Sequence, residues 1–254
     1  MRDTDLAARL RSGQPVLGLL SPNVEPELVE VLGLLGFHAY MLDTEHGTAG
    51  PPAASLVVRA CEAVGIAPLV RVRGLDAKLI LQHLDAGMSG IMLPGVRTAE
   101  EVRQFVEAVR YPPLGRRGIA PVRANDWLLS RALQAEHVRR ANERILALAQ
   151  VETREALGGL PELVKVKGLD GFFIGPRDLA MALGFPDGPA HPEVEQAMDR
   201  ITKTVLDAGL IVGTVASTAE RAKALLARGH RILLTSVNAL LKTGAEAFLG
   251  PLKK

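Results

Sequence analysis

The sequence predicts an α/β fold in which eight βα units close into a barrel, and three observations predict it. Short apolar runs of strand length recur along the whole chain, helix-like segments separate them, and 254 residues suit a single barrel of about 250. Strands are expected near residues 16–20, 38–42, 67–72, 90–94, 145–151, 171–175, 210–215 and 231–235. Most intervals hold a strand, a helix and two short connections, the rhythm of a parallel array.

The second strand sets the pattern for the rest. His38-Ala-Tyr-Met-Leu-Asp43-Thr-Glu45-His46-Gly47 begins as an apolar run and ends abruptly in two acids and an imidazole, as a buried parallel strand does when it delivers chemistry at its carboxyl edge. Helices are expected to start at Pro51-Pro52, at the capping boxes Thr98-Ala-Glu-Glu101 and Ser217-Thr-Ala-Glu220, and at Pro192. Ala86-Gly87, Ala208-Gly209 and Arg228-Gly229 supply helix-terminating glycines before the next strands. One gap is too long for this rhythm: residues 111–143 hold Tyr111-Pro-Pro-Leu-Gly-Arg-Arg-Gly118 and the sole tryptophan, Trp127, and are expected to cover a site or a subunit contact at the carboxyl edge. No domain boundary is visible, so residues 1–254 are expected to form one domain.

Composition excludes several classes. Hydrophobic residues make up 48% of the chain, and 30 basic against 28 acidic residues give a formal charge of +2, with no basic stripe interleaved with aromatics for nucleic acid. No run is long enough to span a bilayer, and residues 1–15 alternate charged and apolar side chains without the core of a secretory signal. A lone cysteine, Cys61, within a helical pattern points to a buried thiol and a cytoplasmic protein.

Parallel strands in a barrel open all their carboxyl ends on one face. The polar residues expected there are Asp43, Glu45 and His46 after the second strand, Arg71 and Arg73 after the third, Gln150 and Glu152 at the fifth, and Asp178 in Gly175-Pro-Arg-Asp178 after the sixth. Asp85, ahead of the fourth strand, falls outside that face by counting. Glu152 and Asp178 are hard oxygen ligands without cysteine partners and suit Mg²⁺ or Mn²⁺, unless they merely cap the helices that follow them. His46 reads either as a general base, since imidazoles titrate near neutral pH, or as a polar loop residue. Arg71 reads as a group that neutralises a developing oxyanion or as half of a salt bridge. Arg116 and Arg117 read as surface or interface charges or as groups that reach a carboxylate on the substrate, and helix surfaces, loops or a strand start account for His38, His83, His137, His191 and His230. Walker, G-x-G-x-x-G, H-E-x-x-H, C-x-x-C and G-x-S-x-G motifs are absent, and none of the eight lysines ends an expected strand, which argues against a Schiff base.

Six motifs in order then resemble a known family. Leu42-Asp-Thr-Glu-His-Gly47, Leu69-Val-Arg-Val72, Leu84-Asp-Ala-Gly87 with Ile91-Met-Leu-Pro94, Tyr111-Pro-Pro-Leu-Gly-Arg-Arg-Gly118, Gln150-Val-Glu-Thr153 and Phe173-Ile-Gly-Pro-Arg-Asp-Leu179 are similar to those of the metal-dependent pyruvate aldolases, the family of 4-hydroxy-2-oxoheptanedioate and 2-dehydro-3-deoxyglucarate aldolases. The resemblance implies a TIM barrel of the phosphoenolpyruvate/pyruvate-binding type, with the last helix exchanged between subunits of a trimer-based hexamer. It implies reversible aldol cleavage of a 4-hydroxy-2-oxo acid to pyruvate and an aldehyde. It also implies that Glu152 and Asp178 hold Mg²⁺, Mn²⁺ or Co²⁺, and that Gln150 with the backbone at Gly175 and Pro176 seats pyruvate. Arg71 would stabilise the enolate oxygen, and His46 would move the C4 hydroxyl proton with Asp43 or Asp85 orienting its ring, Asp85 reaching in from a neighbouring subunit.

The chain departs from the family pattern at three places. Val72-Arg-Gly-Leu-Asp76 stands where Pro-Trp-Asn-Asp is frequent, making Arg73 an unusual charge near the mouth; Ile119-Ala-Pro-Val-Arg-Ala-Asn-Asp126 replaces small residues; and Thr235-Ser-Val-Asn238 stands where an acid is common. These departures leave the metal-ligand positions intact and bear on which aldehyde is accepted. A citryl-CoA-lyase-like or macrophomate-synthase-like lyase on the same barrel, and a non-catalytic pyruvate-binding barrel, are the alternatives.

Overall fold

Unbroken apolar runs fold here as strands buried on both faces, as a parallel sheet wrapped in helices requires. The computed structural model describes residues 5–252. Its strands are β1 (Val16–Ser21), β2 (Ala39–Asp43), β3 (Ala67–Arg71), β4 (Gly90–Leu93), β5 (Leu146–Val151), β6 (Gly171–Ile174), β7 (Ile211–Val215) and β8 (Ile232–Ser236), all within about a residue or two of the expected positions. They form a closed eight-stranded parallel barrel in sequence order, β8 pairing back on β1. The chain is therefore an α/β TIM barrel.

Eleven α-helices are described: α1 (Leu6–Arg11), α2 (Pro26–Leu34), α3 (Pro51–Val64), α4 (Ala77–Ala86), α5 (Ala99–Val109), α6 (Arg131–Arg144), α7 (Arg154–Leu163), α8 (Pro176–Leu183), α9 (Pro192–Asp207), α10 (Ala219–Ala227) and α11 (Val237–Leu249). Thr98 and Glu101 form the expected capping box of α5, each side chain bonding the other's backbone amide. At α10 the expectation is corrected by one residue. Thr218, not Ser217, is the N-cap, accepting from the Arg221 amide, because β7 and its exit fix where the helix begins.

Side-chain alternation divides the core into two layers. Tyr40, Leu42, Val70, Ala147, Ala149, Phe172 and Ile174 pack outward under the helices. Ala39, Met41, Ala67, Leu69, Leu146, Leu148 and Phe173 pack inside the barrel, with Leu6 and Leu10 of α1 against the same cluster. Residues 1–4 lie outside the described residues, so the opening segment is seen from Asp5 onward. No described helix is long and apolar enough to cross a membrane.

The long connection is corrected in position. It follows α5, which returns the chain to the amino edge, so residues 110–144 run there and not over the carboxyl face. Arg123 pairs with Glu62 near the end of α3, Arg117 with Asp85 in the last turn of α4, and Arg110 with Asp170 just before β6. Within it lie a 3₁₀ segment, Arg123–Leu128, and α6. Cys61 is buried, as expected, and burial pushes its thiol up in pKa.

Candidate active site

The alternation that fills the barrel also selects the residues at its mouth. Met41 and Leu69 point inward, so Asp43 and Arg71, two residues on, point inward as well. By the same count Leu148 places Gln150 and Glu152, and Phe173 places Gly175, above the apolar interior. The mouth thus gathers Asp43, Arg71, Gln150, Glu152 and Gly175.

Arg71 is the buried positive charge of the site. It donates Nε to Asp43 Oδ1 at 3.0 Å and Nη2 to Asp43 Oδ2 at 2.7 Å, and its Nη1 lies 3.2 Å from Glu45 Oε2. The Glu45 contact is close in charge but poorly aligned, and Glu45 Oε2 has no hydrogen bond among the described residues. Burial alone would raise the Asp43 carboxyl, but the bonds and charge of Arg71 overcome it and hold Asp43 below the usual range. Glu45 moves the other way: burial, with Asp43 and Asp178 nearby, outweighs Arg71 and His46 and raises it.

The turn after β2 carries His46. Asp43 Oδ1 accepts from the amides of Glu45 at 3.2 Å and His46 at 3.4 Å, so Asp43 orders this turn through its backbone. The exposed imidazole lies with Nε2 3.9 Å from Glu45 Oε2. Gly47 folds back so closely that a Cβ there would lie 2.4 Å from the Asp43 carbonyl oxygen. Glu45 is the site residue to which sequence reasoning gave no role, although its place between Asp43 and His46 was a signal.

On the opposite side of the mouth, Glu152 is not a helix cap. Thr153 caps α7 by accepting from Ala156, while Glu152 Oε1 turns inward and accepts from the Gly95 amide at 2.8 Å. Gln150 Nε2 donates to Glu152 Oε2, and Gln150 Oε1 is buried without a partner among the described residues. Burial, with Asp178 and Glu45 adding to it against the Gly95 and Gln150 bonds, pushes the Glu152 carboxyl up to about 7. Asp178 sits in the first turn of α8, where Pro176 has no amide hydrogen and Gly175 donates its own to Val151. The amides of Arg177 and Asp178 have no intrahelical acceptor. A Cβ on Gly175 would lie 2.2 Å from Glu152 Oε2, so only glycine leaves this carboxylate in place.

Three carboxylates, Glu45, Glu152 and Asp178, thus lie in mutual electrostatic reach with one buried guanidinium among them. The donors are hard oxygens and fit a divalent cation of the Mg²⁺ or Mn²⁺ type. Among the described residues no group of three or more His, Cys, Asp or Glu side chains is arranged to hold a metal.

Asp85 is far from this ring. It lies at the amino edge, where Arg117 Nη2 donates to its Oδ1 at 3.0 Å. Arg117, expected as a surface or interface charge, is not on the surface but buried within the chain, stacked 4.5 Å from the Tyr111 ring centre because the excursion folds over it. Arg116 is exposed and pairs with Glu107. His83 lies on the buried side of α4 and not on its surface, while His230 sits at a strand start, just ahead of β8, and is also buried.

Comparison with known proteins finds relatives along most of the chain. Residues 17–241 match the family model described as HpcH/HpaI aldolase/citrate lyase. The chain is 41% identical over 192 residues to a hydroxypyruvate/pyruvate aldolase of Sagittula stellata, covering 75% of this chain and 74% of that one. It is 36% identical over 241 residues to a 4-hydroxy-2-oxo-heptane-1,7-dioate aldolase of Klebsiella pneumoniae, covering 94% and 89%. The crystal structure of an HpcH/HpaI aldolase from Desulfitobacterium hafniense superposes with a TM-score of 0.91 at 28% identity, over 98% of this chain and 96% of that one.

Proposed function

The chain belongs to the HpcH/HpaI aldolase/citrate lyase family and is an aldolase, and on that premise we propose how its barrel mouth works. The reaction is reversible, divalent-metal-dependent cleavage of a 4-hydroxy-2-oxo (2-keto-3-deoxy) acid to pyruvate and an aldehyde. The observation that carries this reading is the gathering of Glu45, Glu152 and Asp178 around a single buried arginine, an excess of negative charge that a cation would balance.

Held by Glu152 and Asp178, Mg²⁺, Mn²⁺ or Co²⁺ would supply Lewis acidity that stabilises the enolate charge of the pyruvate half. The remaining work falls to the chain's own side chains. Arg71 faces the same space and neutralises the enolate oxygen, its plane held by the two bonds to Asp43. Asp43 acts by holding Arg71 and the amides of the His46 turn. His46 takes the proton from the C4 hydroxyl as the C3–C4 bond breaks and returns it in the aldol direction.

Gln150, Gly175 and Pro176 form the floor on which pyruvate sits. Gly175 contributes by lacking a side chain, and the unbonded amides of the first turn of α8 offer donors to a carboxylate.

Asp85 serves the His46 of a neighbouring subunit within a homo-oligomer, a trimer-based hexamer. Support for assembly comes from α11, which buries Val237 but exposes Leu241 and Phe248, an apolar face suited to exchange between subunits. The enzyme works in the cytoplasm on small oxo acids and aldehydes, with no nucleic acid or membrane partner.

Calorimetric titration with Mn²⁺ tests the metal reading. The wild type is expected to bind Mn²⁺, and Glu152→Gln and Asp178→Asn are expected to lose that binding while keeping their far-UV dichroism. Undiminished binding by both variants would refute the assignment.

A further inference from the structure

Residues 44–50, between β2 and α3, have no regular secondary structure, yet they carry the imidazole on which proton transfer depends. Their start is anchored twice: Asp43 receives the Glu45 and His46 amides, and Thr44 donates its amide and its hydroxyl to the Arg71 carbonyl at 3.0 and 2.7 Å. All of these anchors lie at the start of the segment.

The far end is tied down by Arg73. It donates Nε to the Thr44 carbonyl at 3.0 Å and Nη2 to the Ala49 carbonyl at 3.0 Å. One edge of a planar guanidinium thus spans the neck of the turn, with His46 between the two carbonyls it joins. Arg73 stands two residues beyond Arg71, past the end of β3, in the bend that leads to α4, and its guanidinium reaches the turn after β2. Among the described residues Arg73 forms no ion pair, so its donors are committed to this backbone and not to a neighbouring acid. A lysine has no rigid fork with which to hold two carbonyls at once.

We propose that Arg73 is the positioning residue for His46: it closes the 44–49 turn across β3 and holds the imidazole at the distance proton transfer requires, without touching substrate. The inference rests on the reading of His46 as the group that moves the C4 hydroxyl proton. It also gives the unusual charge after Arg71 a task. Displacement of a catalytic group by about 1 Å costs on the order of 100-fold in rate, so a clamp on this turn has leverage over kcat that its exposed position conceals.

A double-mutant cycle tests this. Arg73→Ala is expected to lower kcat by about 10- to 100-fold with KM for the oxo acid nearly unchanged, and Arg73→Lys to recover part of the loss. In a His46→Ala background, Arg73→Ala is expected to cost nothing further, because the group it positions is gone. Amide exchange of residues 44–50 is expected to quicken in Arg73→Ala while β2 and β3 stay protected. Equal losses in both backgrounds, or wild-type kcat in Arg73→Ala, would overturn the proposal while leaving the assignment of His46 standing. Wild-type kcat in His46→Ala would instead remove that assignment, and the proposal with it.

Discussion

Asp43 and Arg71 are register neighbours at the carboxyl ends of β2 and β3, and the guanidinium closes on the carboxylate through bonds of 3.0 and 2.7 Å. A buried charge that loses its partner keeps its desolvation cost. Asp43→Ala is therefore expected to destabilise the fold by about 3–5 kcal/mol, read from urea denaturation. An unchanged midpoint would mean that Glu45 alone satisfies Arg71.

Gly175 is the second point at which a small change reaches the chemistry. A Cβ there would meet Glu152 Oε2 at 2.2 Å and Gln150 Nε2 at 2.5 Å. Gly175→Ala should fold, since its φ of −91° suits any residue, but should lose on the order of 100-fold in kcat/KM by displacing Glu152. Steady-state kinetics beside circular dichroism separates displacement from unfolding, and near-wild-type turnover would contradict the packing at this position.

Two buried imidazoles predict how stability responds to acid. Burial, then the charge of Arg73, lowers His83 to about 4, and neither of its ring nitrogens has a partner among the described residues. His230 is likewise lowered by burial to about 4. Because the unfolded chain binds these protons near pH 6.5 and the folded chain does not, stability is full above about pH 6.5 and is lost as pH falls toward about 4. The thermal midpoint should drop between pH 7 and pH 5, and drop less in His83→Met. A midpoint flat across that window would contradict the burial of these rings.

If Asp85, held at the amino edge by Arg117, serves the His46 of a neighbouring subunit as proposed, the two residues should complement between chains. Asp85→Ala and His46→Ala are each expected to be poorly active. After co-refolding, mixed oligomers should regain part of the wild-type rate, because some sites then draw His46 from one chain and Asp85 from another. Activity no higher than the sum of the two parents would remove Asp85 from the mechanism.

Strands were legible because buried parallel strands need no partner to declare themselves: residues 171–175 read as a strand from Gly-Phe-Phe-Ile alone, and β6 is Gly171–Ile174. The mouth residues followed from alternation and from counting to the strand end. What escaped depends on distant segments meeting. The burial of Arg117 comes from Tyr111 and Asp85 folding around it, and nothing local distinguishes it from the exposed Arg116 beside it. The position of residues 110–144 was readable in principle, since a connection after a barrel helix and before a strand must lie at the amino edge. At Ser217 and Thr218 two adjacent hydroxyl residues compete for one cap, and tertiary placement of the helix decides between them.

If Glu152 and Asp178 hold the cation, turnover by the aldolase should depend on it. Pyruvate release from racemic 4-hydroxy-2-oxo acids, coupled to lactate dehydrogenase, tests it most directly when followed in EDTA and again after Mg²⁺ or Mn²⁺ is restored. Release should vanish with EDTA and return with metal in the wild type, and should not return in Glu152→Gln or Asp178→Asn. Release that persists in EDTA would rule out metal dependence, and release that metal restores equally in those variants would remove Glu152 and Asp178 from the metal site.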